Sequence, residues 1–245
     1  MNIYWTNDIL KRDGNSALPD GPDMSLCFLK PEPLSKNIPP YIKNSQYIKC
    51  PAFTEIMKNT YVLKMPFDFG LKIDLTTNKM DCEASFLPLV KSHVSPPVGT
   101  ERIWQFYTQS HFFADKPCIA QQSHPFLHSN TLTSQCNVLG GEFDIHKWYR
   151  PFNAAFTPSA DKKVLVFDFK RGDVISYVRF FTEEKIKMFE FSNTWDIQAI
   201  ANQCVSFKHA KKGIFSLPSA YSSFVQKQRN KKLLNLIKQN IIGEI

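Results

Sequence analysis

The chain has 245 residues, 43% of them hydrophobic and 13% aromatic, enough apolar material for one large core or two small ones. Its six cysteines, Cys27, Cys50, Cys82, Cys118, Cys136 and Cys204, are scattered without a C-x-x-C pair, which excludes a small disulfide scaffold and predicts free, mostly buried thiols. The formal charge of +8 is concentrated in residues 206–245, with eight Lys/Arg and one acidic residue, while residues 1–205 hold 22 basic against 21 acidic.

The first residues, Met1-Asn2-Ile3-Tyr4-Trp5, lack a basic stretch followed by an apolar one, and no run approaches the roughly eighteen apolar residues of a membrane span. Neither a signal peptide nor membrane insertion is expected, which points to a cytoplasmic setting. Residues 11–51 are dense in turn signals, from Asp13-Gly14-Asn15 through Pro31-Glu32-Pro33 to Pro39-Pro40, and each proline biases its predecessor away from helix. With Leu26, Phe28, Leu29, Ile38 and Tyr41 as apolar anchors, residues 1–45 are expected to form an extended N-terminal arm.

From Thr60 the pattern changes to β. Tyr61–Met65 and Gly70–Leu75 read as strands about a Pro66-Phe67-Asp68-Phe69 corner, with Leu71, Ile73 and Leu75 alternating against Lys72 and Asp74. Further strands are predicted over 102–108, 117–122, 141–146, 150–157, 163–169, 173–181 and 185–191. Turn chemistry separates several of them, notably at Lys170-Arg171-Gly172-Asp173, where Gly172 supplies the backbone freedom of a tight turn. So many short strands predict a mainly β core domain over residues 46–192, a β-sandwich or jelly-roll-like fold or a β-clip.

Residues 193–245 read as a basic helical tail. One helix is expected over 195–209 and a second from Pro218 to about 240, with polar Gln226–Lys232 between two apolar stretches. That interruption suggests a helix crossing solvent between two contacts, on different subunits. Lys227, Arg229, Lys231 and Lys232 offer a surface for nucleic acid, an acidic protein or plain solvent.

The fixed spacings of phosphate loops, dinucleotide fingerprints, nucleophile elbows and H-E-x-x-H zinc sites are all missing, and no histidine is followed two residues later by a carboxylate. His124 and His128 have the spacing of a helical metal pair, yet Pro125 favours an extended His124; they read first as structural histidines, a metal site being the alternative. In Gly140-Gly141-Glu142-Phe143-Asp144 the glycines allow either close ligand approach or a β-bulge, and Asp144 is a candidate base. His146, Trp148 and Arg150 extend that candidate site, since exposed aromatic and arginine side chains anchor interfaces.

Several segments carry a resemblance: Lys49-Cys50-Pro51-Ala52-Phe53, Lys64-Met65-Pro66-Phe67-Asp68-Phe69, Ser123-His124-Pro125-Phe126-Leu127-His128, residues 141–151 and residues 170–180. Over roughly residues 45–191 the chain resembles an uncharacterised protein family of marine T4-like bacteriophages. The resemblance implies a phage source, a β-rich domain and a place in the host cytoplasm or the virion, with further copies of itself or other phage proteins as partners. A fainter likeness is to trimeric dUTPases and dCTP deaminases, in the order of Gly141-Glu142-Phe143-Asp144 and Gly172-Asp173-Val174-Ile175. It implies a water-activating Asp144 and magnesium as cofactor. The chain departs from that pattern at Lys147, where the family has a sugar-stacking Tyr, and at Tyr177, where it has Gln. The leading expectation is therefore a non-enzymatic phage protein without cofactors, with a dUTPase-like nucleotide site and nucleic-acid binding through the tail as alternatives.

Overall fold

In the computed structural model, which describes residues 1–7, 29–97, 102–205 and 217–245, the alternating segments are strands and the chain is mainly β with a helical C-terminal part. The strands are β1 (Asn2–Thr6), β2 (Glu32–Pro33), β3 (Thr60–Lys64), β4 (Phe69–Asp74), β5 (Lys79–Asp81), β6 (Val94–Ser95), β7 (Trp104–Phe106) and β8 (His111–Ala114). They continue as β9 (Ile119–Ser123), β10 (Cys136–Val138), β11 (Gly141–Asp144), β12 (Ala154–Pro158), β13 (Val164–Phe169), β14 (Val174–Phe181), β15 (Lys187–Phe191) and β16 (Ile241–Glu244). The helices are α1 (Pro40–Lys43), α2 (Pro51–Met57), α3 (Leu87–His93), α4 (Trp195–Val205), α5 (Leu217–Gln226) and α6 (Arg229–Gln239).

The strands form four small open sheets, ordered β16-β15-β1-β8, β10-β12-β7-β6, β11-β9-β14-β3-β2 and β13-β4-β5. Their inner faces meet in one sandwich-like core. Phe69, Leu71 and Ile73 of β4 point into it while Gly70 and Lys72 face outward, as the two-residue period requires. Leu165, Phe167 and Phe169 of the antiparallel β13 do the same, and the Phe69 and Phe169 rings stack at 4.9 Å. Gly172 turns the chain from β13 into β14 at φ +92°. The free edge of β13 is closed by side chains: the Gln135 amide donates to the Val166 carbonyl and accepts from the Val166 N–H, and Thr131 Oγ1 accepts from Asp168 N–H.

Two sheets are buried on their outer faces as well. On β14 and β3, Val174, Tyr177 and Val62 face a second layer built from Leu34, Phe53 and Leu127. On β1, Ile3 and Trp5 enter the main core, whereas Tyr4 joins Phe113, Phe191, Ile197, Ile200, Phe224, Leu233 and Ile237 in a cluster under the C-terminal helices.

Three expectations are corrected here. The arm does not begin at the surface: β1 is buried, pairing parallel with β15 and antiparallel with β8, because Ile3-Tyr4-Trp5 is apolar on both faces. Residues 8–28 of that arm lie outside the described residues, and residues 40–57 carry the short helices α1 and α2, each opened by a proline at a first-turn position. The second tail helix is two helices, since Gln228 takes a left-handed φ of 53° at the polar stretch. Phe224 of α5 and Leu233 and Ile237 of α6 return to the same cluster, so both apolar stretches of the tail pack on its own chain. It then closes with β16 against β15. The first tail helix is described to Val205; the predicted remainder, through 209, lies outside the described residues. Among the described residues no helix is long and apolar enough to cross a membrane.

Candidate functional site

The Gly140–Arg150 segment forms a hairpin edge and a single turn. β11 lies antiparallel on β9, with Gly141 opposite Gln122 and Asp144 opposite Ile119. What approaches Gly140 closely is backbone: a Cβ there would stand 2.6 Å from the Gln122 carbonyl oxygen, whereas one on Gly141 meets only the Phe143 ring at 3.3 Å. Gly140→Ala is therefore expected to cost about 1–2 kcal/mol by forcing β9 and the strand entry apart, and Gly141→Ala much less because a ring edge yields. Urea midpoints of the two variants check this; equal midpoints would refute the backbone-contact account.

Asp144 closes the turn. Its carbonyl accepts from the Lys147 and Trp148 N–H groups at 3.1 and 2.8 Å, its Oδ1 accepts from His146 N–H at 3.3 Å, and its Oδ2 pairs with Lys147 Nζ at 2.7 Å. The lysine standing where the dUTPase likeness expects an aromatic ring thus pairs with the carboxylate proposed as base. His146 stacks on Phe113, 6.3 Å between ring centres, and its Nδ1 contacts the Ala114 carbonyl at 3.1 Å. Trp148 packs edge-on to Phe143, and the Arg150 guanidinium lies 5.3 Å from the centre of the Trp148 ring. The six residues are neighbours in the chain, and the contacts of the four that carry side chains run to β8, to β11 and within the turn itself.

The histidine pair is divided between two loops' needs. His124 Nδ1 accepts from Val138 N–H at 3.2 Å. His128 donates from Nε2 to the Asn37 carbonyl at 2.8 Å and accepts at Nδ1 from the Tyr177 hydroxyl, whose oxygen in turn accepts from Leu127 N–H at 3.2 Å. This chain fixes the neutral tautomer of His128. Burial lowers the pKa of both histidines and raises that of Tyr177. Among the described residues no group of three His, Cys, Asp or Glu side chains is placed to hold a metal ion. Cys118 and Cys136 are buried free thiols, pushed up to about 11 and about 12 by desolvation, and Cys50 is an exposed one. Cys27 and the side chain of Cys204 lie outside the described residues.

A different surface emerges above the Tyr177 network. Tyr41 is 72% exposed, Tyr47 61% and Phe126 50%, a concentration of solvent-facing rings around α1, α2 and the 124–128 loop. They are held from beneath. Tyr47 lies 4.6 Å from the buried Phe53, Phe53 contacts Phe126 edge-on at 6.3 Å, and Phe126 meets Tyr177 edge-on at 5.2 Å. The Tyr41 hydroxyl donates to the Leu127 carbonyl. A recurring triplet builds this surface: Tyr41-Ile42-Lys43 and Tyr47-Ile48-Lys49 each turn Ile inward against the outer cluster and leave Tyr and Lys in solvent. The repetition is visible in the sequence, but its proline-rich surroundings read as an arm. On the other flank of α2 a cleft of about 360 Å³ is lined by Pro33, Met57, Lys58, Tyr61, Lys185 and neighbours, and not by the Gly140–Arg150 segment.

The tail's basic residues are also accounted for: Lys227, Lys231 and Lys232 are exposed and Arg229 is half-buried around the start of α6, whose opposite face is buried through Asn230, Leu233 and Ile237. No protein-family description, curated protein or solved structure matches the chain.

Proposed function

We propose that the protein is a non-catalytic binding platform of bacteriophage origin, acting on a partner in the virion or the host and not on a small substrate at Asp144. The observation that supports this reading most directly is the engagement of the Asp144 carboxylate within its own turn, with Oδ1 accepting from His146 N–H and Oδ2 on Lys147 Nζ at 2.7 Å, a capping geometry and not one aimed at a substrate. The exposed, internally braced Tyr41–Tyr47–Phe126 surface supplies what a platform needs instead, because rigid exposed aromatic side chains are the usual anchors of recognition.

The test is pyrophosphate release from the four dNTPs with magnesium, run beside a thermal-shift screen of the same nucleotides. No turnover and an unchanged melting temperature are expected, as a ligand binding only the folded state raises it by mass action. Turnover that vanishes in Asp144→Ala would overturn the reading in favour of the dUTPase-like alternative. A second reading, contact with nucleic acid through Lys227, Lys231 and Lys232, is favoured by solvent-facing lysines in the turn before α6 and on its first turn, a helix otherwise fixed to the fold.

A further inference from the structure

Resting on the platform reading, we propose that the surface formed by Tyr41, Tyr47 and Phe126 with Lys36, Lys43 and Lys49 binds single-stranded nucleic acid. Two features of the residues point there together. The three rings are exposed while their positions are fixed by Phe53, Tyr177 and the Leu127 carbonyl, so they present faces at little entropic cost on binding. Each Tyr-Ile-Lys triplet places one stacking ring and one cation two residues apart and repeats that pairing six residues on. Bases joined by phosphates carry the complementary alternation of planar faces and negative charge, and stacking on aromatic side chains tolerates any base.

The charge around the rings agrees. Residues 34–54 contain Lys36, Lys43 and Lys49 and no Asp or Glu, and residues 123–131 contain no acidic residue either. All three lysines are exposed. Glu32, the carboxylate that senses Lys36, is itself paired with Lys64 at 2.6 Å. An extended acidic peptide fits less well. Such a partner gains affinity by adding a strand to an open sheet edge, and the backbone here is folded into helical turns, with Ile42, Ser45, Lys49 and Cys50 N–H groups bonded within residues 39–50. A duplex is disfavoured because its base faces are already stacked on one another and are not free to stack on the exposed rings.

The experiment is fluorescence anisotropy of the full chain with labelled oligothymidylate and oligouridylate of about 12 nucleotides, within the usual single-strand site sizes. Binding that weakens steeply with salt is expected. Tyr41→Ala and Tyr47→Ala, both at exposed positions, should each weaken it by roughly fivefold or more at fixed salt, as loss of one stacked base does. The triple variant Lys36→Gln/Lys43→Gln/Lys49→Gln should flatten the dependence of log affinity on log salt by about 2, for three lost phosphate contacts on a single strand. Circular dichroism and melting temperatures matching the unaltered protein establish that the variants are folded.

Three results would overturn the proposal: no binding at low salt; binding unaffected by the two tyrosine variants but lost in Lys227→Glu/Lys231→Glu/Lys232→Glu, which moves the contact to the tail; or equal binding of polyglutamate, which makes the surface one for acidic proteins. Each leaves the platform reading standing. That reading falls separately, on nucleotide turnover at Asp144.

Discussion

Trp5→Ala will lower the free energy of unfolding by about 3–5 kcal/mol, the usual cost of emptying a large aromatic site in a core. Trp5 is fully buried in β1, with Phe112 of β8 opposite on one side and Glu190 of β15 on the other. The lost ring contacts and the residual cavity act together, because neighbouring strands held by backbone ladders cannot collapse into the space. Set against a typical domain stability of about 5–15 kcal/mol, the loss is a large share of the whole. Trp5→Phe should recover most of it. The Trp5 indole N–H has no acceptor among the described residues, so the smaller ring discards an unsatisfied donor while keeping most of the packing. Guanidinium unfolding of the three proteins measures this; an alanine variant within about 1 kcal/mol of the parent would mean β1 is not core.

Stability will fall as pH drops from 7.5 to 5. His111 is buried against Tyr149, ring centres 4.9 Å apart, with its Nδ1–H donating to the Gln109 carbonyl at 2.8 Å. Burial depresses its pKa to about 4, while in the unfolded chain it titrates near 6.5. Above pH 6.5 the ring is neutral in both states and stability is at its full value. As pH falls below that, the unfolded chain takes up a proton that the folded chain refuses until near pH 4, which favours unfolding. By pH 5 His111 alone removes about 2 kcal/mol. His93, His124 and His128 are shifted the same way, chiefly by burial, and steepen the decline. Urea midpoints across this range test it, and His111→Gln should show the shallower profile. A flat profile in the parent would contradict the buried neutral histidines.

The strands that were legible in the sequence are those with one wet face. Leu71 and Ile73 against Lys72, or Leu165 and Phe167 against Val166 and Asp168, leave the period of the pleat in the residues themselves. β1 leaves no such period because the C-terminal helices cover its second face, and short proline-led α2 and α3 do not span enough residues to show one. The break at Gln228 was hidden for the opposite reason: Gln226–Lys232 is polar throughout, and a polar run has the same appearance on an exposed helix and at a turn. At the candidate site, the sequence names Gly140, Asp144 and Trp148 but does not show their directions. Whether Gly140 receives a ligand or a carbonyl depends on β9, which sequence does not set beside β11, and whether Asp144 faces solvent or Lys147 depends on the turn that follows it.

The parallel pairing of β1 with β15 also governs the timing of assembly. The Met1 amino group rests on the Lys185 carbonyl, 184 residues away along the chain. At ordinary elongation rates, roughly ten to forty seconds separate the emergence of the two strands from the ribosome. Throughout that interval β1 lacks its β15 neighbour, and Tyr4 lacks the C-terminal helices that later cover it. The nascent chain therefore carries an incompletely covered apolar strand for that whole interval, and a chaperone that shields it would raise the yield of folded protein without touching the finished molecule.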